Sequence, residues 1–171
     1  MILNTRHVAL VVTDMEKAIS LYKDLGADLR SRDLEEGKFI EDLIGIRNVV
    51  IETCKLHFYD NSRLELIQFI RAPHFLRTTQ DNKGDTKIEL KRAGGEKFGL
   101  NNNINHIAFT VKDIAKSIKI IEQYGGRLHS EPVISTAAHS KYAVRAKHSY
   151  IFDPFGNLLH LAQDLELGKI Q

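Results

Sequence analysis

The strongest constraint in this sequence is that it repeats itself. Shifted by 99 positions, His7-Val-Ala-Leu-Val-Val-Thr-Asp14 lies over His106-Ile-Ala-Phe-Thr-Val-Lys-Asp113. The match runs on without a gap: Lys17 over Lys116, Ile19 over Ile118, Gly26 over Gly125, Leu29 over Leu128. Further along, the shift falls to 95, where Leu64-Glu65-Leu66-Ile67-Gln68 lies over Leu159-His160-Leu161-Ala162-Gln163. Self-similarity on this scale reads as two copies of one supersecondary module, the first carrying a few extra residues. The 171 residues therefore divide into a first module over 1–70, a linker over 71–102 and a second module over 103–171.

Each module opens with an apolar strand, 5–12 and 104–111. A helix follows. Asp14 and Asp113 are candidate N-caps, because a short carboxylate accepts from the free amides of a first turn. Met15, Ala18, Ile19 and Tyr22 fall at i, i+3, i+4 and i+7 and make one apolar stripe, as do Ile114, Ser117, Ile118 and Ile121 in the second copy. Gly26 and Gly125 sit where a left-handed residue ends a helix. Three more strands follow in each module: about 27–32, 49–59 and 63–70, then about 127–133, 143–152 and 158–163. An extra short helix is expected over 37–44, through Phe39, Ile40 and Leu43. The linker reads as irregular: Ala72-Pro73 interrupts strand pairing, and Asp81-Asn82-Lys83-Gly84-Asp85 and Ala93-Gly94-Gly95 are rich in turn formers. A solvated connection is the plainer reading of it, and a lid or dimer-contact arm the sharper one.

Strand side chains alternate between faces. If Val8, Leu10 and Val12 turn toward the helix, His7 turns away from it. If Leu64 and Leu66 turn toward the helix, Glu65 turns away. The repeat puts His106 and His160 in the same places. A pseudo-twofold between the modules would bring His7, Glu65, His106 and His160 around one point. Imidazole nitrogens and a carboxylate oxygen are ordinary ligands for a divalent first-row metal. The alternative is a polar cleft of hydrogen-bonded histidines without a metal.

Composition excludes several other classes. Apolar residues make up 43% of the chain and charged residues 27%, the balance of a globular protein. A net charge of +2 gives no general drive toward nucleic acid or an anionic membrane. Arg6 and His7 cut the first apolar run too early for a signal peptide, and no window approaches the ~18 apolar residues of a membrane helix. The single cysteine, Cys54, leaves no internal disulfide and fits a reducing, cytoplasmic setting. With no evident His–Asp partners, it reads as a small core residue and not a nucleophile.

Four segments carry a resemblance: His7-Val-Ala-Leu-Val-Val-Thr-Asp-Met-Glu-Lys-Ala, Arg63-Leu-Glu-Leu-Ile-Gln, Asn105-His-Ile-Ala-Phe-Thr-Val-Lys-Asp, and Asp153-Pro-Phe-Gly-Asn-Leu-Leu-His-Leu-Ala-Gln. Through them the chain resembles the vicinal-oxygen-chelate superfamily. That group includes glyoxalase I, methylmalonyl-CoA epimerase, fosfomycin-resistance transferases, extradiol dioxygenases and bleomycin-binding proteins. The resemblance implies an α+β fold of two tandem βαβββ modules, an open, curled mixed sheet around a cavity. It implies metal ligands at His7, Glu65 and His106, and a divalent cation such as Zn, Ni, Co, Mn or Fe. It also implies a homodimer. At His160 the family most often carries a glutamate. Three neutral imidazoles and one carboxylate would leave a divalent site formally positive, which favours an anionic substrate. Glu65 then becomes the stronger candidate for the catalytic base.

The implied activity is that of a lyase or isomerase of the glyoxalase type. It would chelate vicinal oxygens of a small anionic substrate and move a proton through an enolate or enediolate. The alternatives are a non-haem Fe(II) dioxygenase, or an antibiotic-binding protein without chemistry. For substrate contacts, Cys54, Leu56 and Phe58 read as the core face of their strand. Thr53, Lys55, His57 and Tyr59 would then face either the cavity or solvent. His148 and Tyr150 face inward by the 95-residue shift unless a bulge intervenes. His139, Lys141, Arg145 and Lys147 form a basic run, equally a solvated edge. His74 and His129 read as surface residues.

Overall fold

The computed structural model describes residues 6–71, 76–80, 86–91, 97–98, 106–135 and 145–165. The chain forms two compact units, 1–102 and 103–171. The architecture is α+β, and each unit builds its own mixed sheet around a βαβ…β framework.

In the first unit the order is β1 (Val8–Val11), α1 (Met15–Asp24), β2 (Asp28–Glu36), α2 (Lys38–Ile44), β3 (Val50–His57) and β4 (Arg63–Arg71). The sheet runs β1-β4-β3-β2, with β1 parallel to β4 and the other pairs antiparallel. Asp14 caps α1 as expected: its carboxylate accepts from the Lys17 amide at 3.0 Å. The Met15 amide donates to the Gln68 side chain on β4 at 2.8 Å, so the last strand helps to seat the helix. Gly26 closes the helix at φ +102°, a left-handed value that suits glycine. The stripe Met15, Ala18, Ile19 and Tyr22 is buried against one sheet face, where Cys54, Leu56, Leu64 and Leu66 are also buried.

The second unit repeats this plan with β8 (Ile107–Thr110), α3 (Ile114–Gln123), β9 (Arg127–Leu128), β10 (Val133–Ile134), β11 (Ala146–Phe152) and β12 (Leu158–Asp164). Asp113 caps α3 through the Lys116 amide at 3.0 Å, and the Ile114 amide donates to Gln163 at 3.0 Å. The strand expected over 127–133 is instead two short pieces, both paired with β11. The cause is local. The amides of His129 and Ser130 both donate to the Tyr150 carbonyl, at 2.9 and 3.0 Å, and Pro132 follows with no amide to give. β11 itself pairs with β12 in unbroken register.

The segment read as irregular holds three strands, β5 (Leu76–Gln80), β6 (Thr86–Lys91) and β7 (Lys97–Phe98), in an antiparallel meander. Its turn-forming clusters fall between those strands. Alternation such as Thr86-Lys-Ile-Glu-Leu-Lys91 was the strand signal that the turn formers obscured.

The two helix–sheet contacts differ in closeness. Ala27 is buried after α1, and its counterpart is Gly126. A Cβ on Gly126 would come 2.7 Å from the Phe152 carbonyl oxygen and 2.9 Å from that of Ile121. Backbone must move to admit it. Gly126→Ala is expected to cost about 1–3 kcal/mol, read from urea unfolding midpoints; an unchanged midpoint would contradict this packing. Cys54 is fully buried, and burial pushes its thiol up to about 11. The folded chain therefore keeps this proton where the unfolded chain has lost it, and stability falls as pH rises from about 9 toward 11. Iodoacetamide at pH 9 should label the native protein at least tenfold more slowly than the urea-unfolded chain.

Candidate metal and substrate site

Parallel pairing of the first and last strands places the chemical groups of each unit. In the first, Val8 pairs with Leu64 and Leu10 with Leu66, which puts Ala9 beside Glu65 on the face away from α1. His7, two residues before Ala9, shares that face. Its Nε2 lies 3.2 Å from Glu65 Oε2. The Glu65 side chain is 13% exposed. Lys55 sits directly across β3 from Glu65, and His57 lies two residues further, across from Arg63. Both share the Glu65 face. Tyr59 lies past the end of β3, fully in solvent, and does not join it. Thr53 faces neither a cavity nor solvent: it is buried, and its hydroxyl donates to Glu35 at 2.8 Å. Beyond it the same face is closed by α2, where Ile40 packs with Val49 and Ile51, and Ile67 and Phe69 lean on that cluster. The floor made by α2 was not foreseen from its sequence.

The second unit keeps the register. Ile107 pairs with Leu159, Ala108 with His160 and Phe109 with Leu161, so His106 and His160 take the places of His7 and Glu65. Tyr150 lies directly across from His160, and their rings stack with centroids 4.8 Å apart. His106 meets both edge-on, at 5.2 Å from Tyr150 and 5.6 Å from His160. His148 Nδ1 lies 3.0 Å from His160 Nε2, and His148 Nε2 lies 3.1 Å from Ser135 Oγ. His148 and Tyr150 thus lie on one face with His160, as the repeat implied. Ser135 was missed, since nothing in its own sequence context marks it. Burial holds the His160 imidazole below the usual histidine range, and the imidazoles of His148 and His106 push the same way. At neutral pH the ring is uncharged and keeps a lone pair.

The hairpin after β11 sets this register. Asp153 is buried, and its Oδ1 accepts from the amides of Phe155 and Asn157 at 2.9 and 2.8 Å. Gly156 supplies φ +89°, and Asn61 takes the matching place in the first unit at φ +63°. That is the physical content of the Asp-Pro-Phe-Gly-Asn segment. His129 is exposed, as expected; His74, His139 and Lys141 lie outside the described residues.

A cation would find two donors at His7 and Glu65. Two neighbouring ligands of one first-row ion lie about 3 to 3.5 Å apart when each bond is about 2.1 Å. The His7–Glu65 separation of 3.2 Å meets that spacing. Among the described residues no group of three or more His, Cys, Asp or Glu side chains could hold a metal.

Comparison with known proteins agrees with this architecture. A glyoxalase family protein from Bacillus cereus superposes with a TM-score of 0.70 at 23% identity, over 97% of each chain. A glyoxalase I variant from Zea mays gives 0.53 at 18% identity, over 92% of this chain and 44% of that one. A variant of the fosfomycin resistance protein FosX from Listeria monocytogenes gives 0.51 at 14% identity, over 96% of this chain and 94% of that one. That protein was crystallised with Mn(II) and 1S,2S-dihydroxypropylphosphonic acid. No curated protein sequence matches the chain. The family model described as Glyoxalase/Bleomycin resistance protein/Dioxygenase superfamily matches residues 5–161. With the duplicated module, its register and nearly the whole length accounted for, the chain belongs to that superfamily.

Proposed function

We propose that the chain is a divalent-metal-dependent lyase or isomerase of the glyoxalase type, acting on a small anionic substrate with neighbouring oxygens. The observation that carries this reading is the His7–Glu65 contact, spaced for two ligands of one ion, with His106 and His160 at the same register positions of the second unit. His7, Glu65, His106 and His160 make up the ligand set. A divalent cation bound by them supplies Lewis-acid polarisation of the substrate oxygens. Glu65 moves the proton adjacent to the substrate carbonyl, as the one carboxylate in the set. Lys55, across the strand pair from Glu65, holds a carboxylate or phosphate of the substrate in this reading. His57, Tyr150 and His148 provide further polar edges on the same faces for orienting a substrate.

Metal binding is the first test. Calorimetric titration of the metal-free chain with Zn(II), Mn(II), Ni(II) and Co(II) should give one ion per chain for at least one of them. His7→Ala and His106→Ala should each weaken it about tenfold or more. Absence of binding, or binding indifferent to both substitutions, would contradict the ligand set. The second test addresses Glu65. Against a panel of small anionic carbonyl compounds, the metal-loaded protein should promote exchange of the acidic C–H in D2O, followed by NMR. Glu65→Gln should lower that exchange about 10²–10⁴-fold. A variant that binds metal and exchanges normally would remove Glu65 as the base. Oxygen uptake with an Fe(II)-loaded protein would replace the lyase or isomerase reading by an oxygenase.

A further inference from the structure

The face that carries Glu65 in the first unit is graded along its strands. Cross-strand partners fall in layers: Arg63 with His57, Glu65 with Lys55, Ile67 with Thr53, and Phe69 with Ile51. The first two layers set Arg63, His57 and Lys55 around one carboxylate. The fourth is apolar and lies under α2, where Ile40, Val49 and Ile51 are buried and Phe69 packs against them. The third layer is the border. Thr53 is sealed, with its hydroxyl turned to Glu35. Ile67 packs on the α2 cluster but is only partly buried, and Val11, its partner on β1, is partly buried too.

Charge and apolarity therefore run opposite ways along one face. A small anion is drawn to the end with Arg63 and Lys55, since a guanidinium takes a carboxylate through two parallel N–H bonds and an ammonium adds a point charge. The same anion is repelled at the α2 end, where Asp33 and Glu35 on β2 are the register partners of Thr53 and Ile51. An alkyl group gains most over Ile67, which still has apolar surface to remove from water. Its length is limited. At a rise of about 3.4 Å per residue, Ile67 stands about 7 Å along the strand from Glu65, and Phe69, already beneath α2, about 14 Å. A methyl or ethyl group fits the first interval, and a much longer chain meets α2. Neither Arg63 nor Ile67 is demanded by the module itself, because the same register positions of the second unit hold Leu158 and Ala162.

We infer that Arg63 and Ile67 set the specificity of this face. Arg63 takes the anionic end of the substrate, Ile67 takes its alkyl end, and α2 stops the alkyl chain after a few carbons. The substrate class is a compact oxygenated acid with a short alkyl group. The inference deepens the proposed function and rests on it for placing the substrate beside Glu65.

The test is a chain-length series of α-keto acids, from pyruvate through α-ketobutyrate to α-ketooctanoate. Each is titrated calorimetrically into the full chain with and without zinc, and exchange of its acidic C–H in D2O is followed by NMR on the same samples. Affinity should hold or rise from pyruvate to α-ketobutyrate and fall about tenfold or more by α-ketooctanoate, because a chain driven into α2 strains its packing. Equal or tighter binding of the longest acid overturns the stop at α2. Arg63→Gln should weaken every member about tenfold and leave the exchange rate of the bound acid nearly unchanged, with Arg63→Lys recovering part of the loss. Affinity indifferent to Arg63→Gln overturns the anionic end. In methyl-labelled protein, the terminal methyl of bound α-ketobutyrate should show a nuclear Overhauser contact to the Ile67 δ-methyl, and a bound acid without that contact overturns the alkyl end. If the acids bind with this selectivity and none exchanges, the lyase or isomerase reading falls and the specificity of the face stands. If none binds in either form, both fall.

Discussion

The parallel pairing of the first and last strand in each module is the constraint on which the rest of this structure depends. A one-residue slip would turn every side chain of the last strand to the opposite face. Val8 against Leu64 and Ile107 against Leu159 are the same register, held although the two halves of the repeat differ in shift. The apolar neighbours enforce it. Leu64, Leu66, Leu159 and Leu161 are buried under the helices, so Glu65 and His160 must face the other way. Burying one such leucine contributes about 1.5–3 kcal/mol, and a slipped strand would forfeit that and bury a carboxylate. Chemistry in this fold is therefore positioned by its hydrophobic core.

The helices and hairpins support that register from both ends. Gln68 and Gln163, three residues beyond Glu65 and His160, reach the first amides of α1 and α3 and tie each last strand to its helix. Asp153 and Gly156 fix the turn that sets Tyr150 opposite His160. The modules then diverge in character. The first presents a carboxylate with Lys55 across from it. The second presents aromatic rings, His160 between Tyr150 and His148.

Much of this was legible in the residues. The repeat located both N-caps and the left-handed glycines that close both helices, and alternation put Glu65 on the strand face away from α1 and Tyr150 and His148 on the face of His160. What stayed hidden has physical causes. Tyr59 was extrapolated along a strand that stops at His57, before the turn held by Asp60 and Asn61. Strand alternation alone does not reveal the burial of Thr53, because its partner Glu35 is distant in sequence and comes alongside only through the β2–β3 pairing. The split of the strand expected over 127–133 depends on two amides sharing one carbonyl. The meander between 76 and 98 was masked by its own turn formers. Ser135 gains meaning only from the strand pairing that brings Ala146 and His148 beside it.

The central proposal is that His7, Glu65, His106 and His160 are ligands of a divalent cation. X-ray absorption at the zinc edge of the zinc-loaded full chain addresses it most directly. The account predicts a shell of three imidazole nitrogens with oxygen donors at about 2.0–2.2 Å. A shell of oxygens alone, or one with a single imidazole, would contradict it.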